Sequence, residues 1–111
     1  MQLPTVRQGA FTVTGKLPPE VVRRIVRQRL QMFRACYEDG LAKKPDLRGR
    51  VTTKFTIGSD GSVSSVADGG SDLADPSVVQ CVGKVFGAMT YPRPEAGTVS
   101  VVFPLLFNPS E

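Results

Sequence analysis

The sequence predicts a small α+β domain in which two helices pack on one face of an antiparallel sheet, in the order (β)αββαβ. Two observations lead to this fold class. The segment Gly49–Val63 alternates apolar and polar residues up to an Asp-Gly turn, as a β-hairpin does. Elsewhere, apolar residues recur every three or four positions, as on one face of a helix. A hairpin alone is marginally stable in water, so further strands or helices must cover its apolar face.

The first part of the chain predicts a lead-in, a short strand and a long helix. Residues 1–10 are predicted to be a flexible lead-in to a domain that spans residues 11–108. Phe11–Gly15 alternates as a short strand does. The helix is predicted to begin at the Pro18-Pro19 pair, because proline is tolerated in a first turn, and to end near Gly40, a residue type common after helix ends. Its apolar stripe contains Val22, Val26, Leu30, Phe33, Tyr37 and Leu41.

The hairpin that follows is predicted at about Arg48–Ile57 and Ser62–Ala67, with the turn at Asp60-Gly61. Its first strand alternates strictly. Its second strand does not, because Val66 is out of phase with the apolar residues around it. That irregularity predicts a β-bulge.

A second helix and a last strand complete the domain. Asp75 is a favourable N-cap and Pro76 fits the first helical position. The helix stripe contains Val78, Val82, Val85 and Met89, and the Tyr91-Pro-Arg-Pro94 segment ends the helix. The last strand is predicted over Thr98–Phe107. Because Pro104 cannot donate a ladder hydrogen bond, this strand is predicted to lie at a sheet edge, at least along its second half.

Composition excludes several kinds of function. The 111 residues, 41% of them hydrophobic, fit one domain with a real core, and no apolar run reaches the roughly 18 residues of a membrane span. No signal peptide is visible, and we expect an excised domain of a longer protein. The chain has no His, so Ser-His-Asp and Cys-His chemistry are excluded within it, and two Cys cannot fill a zinc shell. We therefore expect no cofactor, no metal and no catalysis. The Asp residues that cluster in sequence fall at turns and a helix cap, namely Asp60, Asp68, Asp72 and Asp75.

The charge is uneven. The net charge is +4, yet ten basic and four acidic residues lie between Lys16 and Arg50. Such a segment is typical of a solvated helix face, and it could also contact an anionic surface or polymer. The candidate anionic-surface patch contains Arg23, Arg27, Arg34, Lys43, Lys44, Arg48 and Arg50. Nucleic acid is an unfavourable partner, because no exposed aromatic residue is interleaved with these charges.

The two cysteines leave two alternatives open. Cys36 and Cys81 lie on the apolar sides of the two predicted helices, which must cover the same sheet. They could form a disulfide that closes a loop of about 46 residues, or remain buried thiols that behave as small hydrophobic residues. A disulfide would indicate an oxidising compartment.

The ordered set of motifs resembles TonB C-terminal domains, and more closely the AgmX/PglI C-terminal domains of myxobacterial gliding-motility proteins. The resemblance spans about Gly15 to Phe107. The segments that carry it are Val22–Arg27, Arg34–Glu38, Gly40–Val51, the hairpin Gly49–Val63, Asp75–Val82, Tyr91–Pro94 and Val99–Phe107.

The resemblance implies a periplasmic module of a protein anchored in the inner membrane. Such modules couple an energised or motor complex to the outer envelope, by adding an extended, TonB-box-like peptide of an outer-membrane protein to a sheet edge. It also implies that Cys36 and Cys81 form a disulfide. Carried over to this chain, the partner-binding edge consists of Thr98, Val99, Ser100, Val101 and Val102.

Two other functions use the same features. The same edge strand, Thr98–Val102, is as good a template for a second copy of the chain as for a ligand, so a homodimer that pairs through this strand is the first alternative. Binding of an anionic polymer to the basic helix is the second.

Overall fold

The computed structural model describes residues 4–109. Within that range, helices and strands follow in the order β1 (Thr5–Gln8), β2 (Thr12–Thr14), α1 (Pro19–Arg27), α2 (Leu30–Lys43), β3 (Gly49–Ile57), β4 (Val63–Asp68), α3 (Pro76–Gly87) and β5 (Val99–Asn108). The strands form one antiparallel sheet in the order β1-β5-β3-β4, and β2 pairs with β5 beyond the end of β1. The predicted α+β class, with helices beside a small antiparallel sheet, is confirmed.

The ladder between β3 and β5 forms the middle of the sheet. It runs from Gly49 paired with Phe107 to Ile57 paired with Val99. Successive side chains of a strand point to opposite faces, so the odd-numbered residues of both strands lie on the helix side. On β5 these residues are all buried: Val99, Val101, Phe103, Leu105 and Phe107.

Aromatic rings join the helices to this face. Phe86 of α3 lies with its ring centroid 4.7 Å from Phe33 of α2, 5.0 Å from Phe55 of β3 and 5.7 Å from Phe103 of β5. All four rings are buried. Tilted and offset arrangements at these separations are the favourable ones for aromatic pairs. Phe86 therefore connects α2 and α3 to the two central strands, β3 and β5.

The predicted single first helix is wrong in one respect, because it is two helices. The chain breaks between Arg27 and Leu30, where Arg29 adopts φ −110° and ψ 10° and its N–H bonds to Val26 three residues back. Val26 and Phe33 are nevertheless both fully buried. The break lets α1 and α2 each place its apolar side on the core, and it occurs without a Gly or Pro that would have indicated it.

Gly40 does not end the helix as predicted. It lies inside α2 and is buried, where α2 crosses α3. A Cβ at this position would lie 2.6 Å from Val78 Cγ2 and 2.7 Å from Leu47 Cδ2. Glycine is therefore present because the two helices and the following loop approach too closely for a side chain.

The predicted lead-in is also partly a strand. Thr5–Gln8 form β1 and pair with Leu105–Asn108 of β5, so the ordered sheet begins before residue 11. Residues 1–3 of the predicted lead-in lie outside the described residues. A four-residue strand flanked by few apolar residues has a weak sequence signal, and its partner is a hundred residues away.

The hairpin forms as predicted. Gly61 has φ +91°, a conformation that favours glycine, and Asp60 accepts hydrogen bonds from the N–H (3.0 Å) and the hydroxyl (2.7 Å) of Ser62. The predicted bulge is confirmed, because Thr56 pairs with Ser65 but Ile57 with Val63. The extra residue turns the side chain of Val66 to the helix side of the sheet, opposite Phe55.

Cys36 and Cys81 form a disulfide between α2 and α3, with their Cα atoms 5.7 Å apart. Among the described residues no cysteine is free. The bond connects the two helices that cover β3 and β5, and it settles the choice that the sequence left open in favour of the pairing implied by the family resemblance.

Two glycine substitutions should have opposite effects on stability. We expect Gly40→Ala to lower the free energy of unfolding by about 1–2 kcal/mol, because its methyl group overpacks the buried Val78 and Leu47. Gly83→Ala in α3 is the matched control, since its Cβ would meet Val66 at an ordinary 3.4 Å. It should be neutral or stabilise by up to about 1 kcal/mol. Urea unfolding of both variants measures the difference, and equal effects would contradict the packing role of Gly40.

Removal of the disulfide should destabilise the domain strongly. The chain-entropy model assigns about 4 kcal/mol to a loop of this length, so Cys36→Ala with Cys81→Ala should lose about that much of the free energy of unfolding. Guanidinium unfolding with and without a reductant tests this expectation. Reductant should destabilise the natural sequence and leave the double variant unchanged.

Candidate functional site

The predicted binding edge is covered in this structure. Residues Ser100–Val102 of β5 pair with Thr12–Thr14 of β2, and β5 pairs with β3 on its other side. The prediction that β5 is an edge strand is therefore wrong. Gly15 continues the cover past the end of β2, because a Cβ there would lie 3.0 Å from the carbonyl oxygen of Thr98.

Pro104 is accommodated inside the sheet by a gap in its neighbours. Its carbonyl accepts a hydrogen bond of 2.9 Å from the N–H of Gly9, which lies between β1 and β2. In a strand the N–H and C=O of one residue point to the same side, so the nitrogen of Pro104 also faces this gap. Because the nitrogen of Pro104 faces the segment between β1 and β2, its missing N–H removes no hydrogen bond of the ladder with β3. Pro104 is therefore compatible with a strand inside the sheet.

The same alternation assigns the main-chain groups of β5. Because Pro104 faces β1 and β2, Ser100 and Val102 face β2, and Val101 faces β3. The side chain of Val101 is buried in the core. The main-chain groups available to a strand beside β5 are therefore those of Ser100 and Val102, and β2 uses them here.

Phe11 fixes the start of β2 to the core. Its ring stacks on Phe103, with ring centroids 4.5 Å apart and planes 17° from parallel. The guanidinium carbon of Arg23 lies 5.2 Å from the centroid of the Phe11 ring, within the range of a cation–π interaction. Phe11 and Val13 are half-buried, whereas Thr12 and Thr14 are exposed on the open face. The side chains by which Phe11–Thr14 packs on the rest of the domain are thus those of Phe11 and Val13.

β4 is the edge that the structure leaves open. Among the strands that the structure describes it pairs only with β3, and its residues Ser64–Asp68 are exposed. Since Thr52 accepts from Gly69 and thereby faces β4, the alternation directs the main-chain groups of Val66 and Asp68 away from the sheet. A groove of about 450 Å³ runs between this strand and α3. It is lined mainly by Val66, Val79, Gly83, Gly87, Gln80 and Lys84.

The residues of the predicted anionic-surface patch do not share one face. They are spread over α1, α2, the loop after α2 and β3. Arg50 of β3 is even-numbered and lies on the face of the sheet opposite the helices. Two members form ion pairs: Arg23 Nε lies 3.4 Å from Glu20 Oε1, and Lys43 Nζ lies 3.8 Å from Asp75 Oδ2. The basic residues surround the domain more than they form a patch.

The clustered aspartates bind main-chain N–H groups, as expected for turns and a cap. Asp72 accepts from the N–H of Arg50 at 2.6 Å, and Asp75 caps α3 by accepting from Ser77 at 2.9 Å. The hydroxyl of Ser71 and the N–H of Gly70 bond to Asp68 and lower the pKa of its carboxyl, and those of Ser62 do the same for Asp60. Among the described residues, no group of three His, Cys, Asp or Glu side chains is arranged to hold a metal ion.

Two tyrosines, Tyr37 and Tyr91, are buried and contribute to packing. Tyr37 is fully buried in α2, and its hydroxyl donates to the carbonyl of Leu47. Burial raises the pKa of Tyr37 and of Tyr91. Tyr37, through its bond to Leu47, and Tyr91, through its stacking on Phe55, hold the loops after α2 and α3 against the core.

Comparison with known proteins identifies the fold. No family model and no curated protein matches the chain. The solution structure of the C-terminal domain of Helicobacter pylori TonB matches it with a TM-score of 0.50 and 19% sequence identity, covering 88% of this chain and 99% of that one. The chain has the fold of a TonB C-terminal domain. The closer relation to AgmX/PglI domains stays a prediction.

None of the helices that the structure describes is long and apolar enough to cross a membrane. Sequence reasoning did not find that the chain covers β5 with its own N-terminal strands. The signal was present in the alternation of Phe11–Thr14, which predicted a strand but not its partner. Only the register of the sheet assigns that partner.

Hydrogen exchange should distinguish the two sides of β5. We expect the amide protons of Ser100 and Val102, which face the three-residue β2, to exchange faster than that of Val101, which faces β3. Native-state exchange followed by NMR measures all three. Equal protection would mean that β2 opens only when the whole sheet opens.

Proposed function

We propose that this domain is a non-enzymatic protein-interaction module of the bacterial periplasm. It belongs to a protein anchored in the inner membrane and couples a motor or energy-transducing complex there to an outer-membrane partner. The coupling is made by an extended, TonB-box-like peptide of that partner, which adds to the sheet as a strand. Gliding motility and TonB-type transport are the two processes that this role fits.

The observation that carries the proposal is the small open sheet with helices on one face only. Such a sheet has main-chain donors and acceptors at its margins, which bind an extended peptide whatever its side chains. The likeness to the TonB C-terminal domain supports this role. The disulfide between Cys36 and Cys81 supports an oxidising compartment such as the periplasm.

We place the peptide against Thr98 and the first four residues of β5, Val99–Val102. There the main-chain groups of Ser100 and Val102 would bind the peptide, with Thr98 and Val99 extending the contact. In the present conformation β2 holds these groups through only three residue pairs. A peptide therefore binds by replacing a short strand, and the β3–β5 ladder stays intact.

Self-assembly is the second candidate function, and the open edge of β4 favours it. Val66 is 39% exposed there, and its main-chain groups face away from the sheet. Two copies paired through β4 would form one continuous sheet. Polymer binding has no comparable support, because the basic residues lie on different faces.

An NMR titration tests the proposed function. The probes are synthetic peptides from the periplasmic N-terminal segments of outer-membrane receptors, added to the oxidised, isotope-labelled domain. We expect shifts at Ser100 and Val102 and loss of the β2 pairing, because the peptide takes over those hydrogen bonds. A poly-anion such as heparin serves as the control for charge alone.

Other outcomes assign the alternatives. Shifts at Val63–Asp68 that grow with protein concentration, without peptide, would indicate self-assembly. Shifts at Arg23, Arg27 and Arg34 with heparin only, which fade with salt, would indicate polymer binding. No shift with any receptor peptide would contradict the proposed function.

A further inference from the structure

We infer that the segment Phe11–Thr14 is a built-in occupant of the β5 site, and that the partner is an extended segment with the same pattern: an aromatic residue followed, two positions later, by a β-branched apolar residue. The inference rests on the proposed function and gives it a partner chemistry and a control step. The partner and the domain's own strand compete for the same groups.

The first argument is that β2 has the contacts of a bound peptide. It pairs antiparallel with β5, and no strand within residues 4–109 lies on its other side. Three residue pairs hold it, and one main-chain hydrogen bond, from the N–H of Gly9 to the carbonyl of Pro104, precedes them. Replacing it breaks no contact of the central ladder between β3 and β5.

The second argument is the alternation of its side chains. Phe11 points to the helix side and stacks on Phe103, and Val13 follows it opposite Val101. Thr12 and Thr14 point to the open face, where they are exposed. A strand that replaces β2 in this register therefore needs an aromatic ring for the surface of Phe103 and a branched apolar side chain for the position of Val13. Its other positions tolerate any polar residue.

The third argument is the charge above the aromatic position. Arg23 of α1 lies over the Phe11 ring, while its Nε is 3.4 Å from Glu20. An incoming aromatic residue would be held between Arg23 and Phe103. This position therefore selects an aromatic residue more strongly than an aliphatic one.

Competition sets the affinity. A strand attached by a short flexible link has an effective concentration on the order of millimolar, so a free peptide with identical contacts replaces it only at similar concentrations. When the site is open for only part of the time, the apparent dissociation constant rises by the inverse of that fraction. Weakening β2 should therefore tighten peptide binding.

The experiment uses a fluorescein-labelled peptide with the sequence of residues 8–15 and the whole 111-residue chain. We expect the variant Phe11→Ala with Val13→Ala to bind this peptide about tenfold more tightly than the natural sequence, because its own strand competes less. Met32→Ala removes a side chain that is 49% exposed on α2 and should leave the affinity unchanged. A control peptide with serine in place of the aromatic and valine positions should not bind.

A second variant locks the strand in place. Thr14 and Ser100 are directly opposite, at the Cα separation of about 5.5 Å that an antiparallel hydrogen-bonded pair has and a disulfide accepts. Oxidised Thr14→Cys with Ser100→Cys should lose peptide binding, whereas Thr14→Ala with Ser100→Ala should keep it. A retained Cys36–Cys81 disulfide and unchanged NMR chemical shifts of the buried core residues show that each variant is folded.

Two results would overturn the inference: equal peptide affinity in the weakened, natural and locked proteins, or peptide-induced shifts at β4 in place of β5. Its failure is distinguishable from that of the proposed function. If receptor peptides bind the locked protein normally, the role as a peptide-binding module stands, whereas the placement of the peptide on β5 and the built-in occupant both fail. If the peptide of residues 8–15 behaves as expected and no receptor peptide binds even the weakened variant, the occupant stands and the proposed function fails.

Discussion

The pairing of β5 on both of its sides is the constraint on which the rest of the structure depends. Its ladder with β3 extends from Val99 to Phe107, and its odd-numbered side chains form the floor on which the helices pack. Phe86, Phe33 and the disulfide then hold α2 and α3 above that floor. β5 is the last strand in sequence and lies between β3 and the N-terminal strands β1 and β2, so the sheet is completed only when both ends of the chain have met.

The two margins of the sheet differ because they are protected in different ways. At β4 a bulge and exposed polar residues interrupt the edge, two features by which natural sheets limit edge-to-edge pairing. At β5 the chain covers the edge with its own β1 and β2. At the proposed peptide site, a partner strand would therefore have to replace the contacts that Phe11 and Val13 make.

Several short-range contacts hold α2 against α3. Gly40 allows α2 to approach Val78 and Leu47, and Asp75 caps α3 while lying 3.8 Å from Lys43 at the end of α2. Tyr37 bonds to the carbonyl of Leu47 in the same region. These contacts orient α2 against α3 and bring Cys36 within disulfide distance of Cys81, so the position of the bond follows from the crossing of the helices.

The sequence by itself determined the elements whose signals are local. The alternation of Gly49–Ile57, the turn at Asp60-Gly61, the bulge near Val66 and the cap at Asp75 each depend on neighbours a few residues away, and each was predicted. Tertiary structure alone decided the break at Arg29, the close approach at Gly40 and the partner of Phe11–Thr14. Pro104 shows the reason: a missing N–H predicts an edge only if a neighbouring strand would need it, and here the chain leaves a gap opposite that residue. Pairing between residues about ninety positions apart is set by the register of the whole sheet, and no local pattern encodes it.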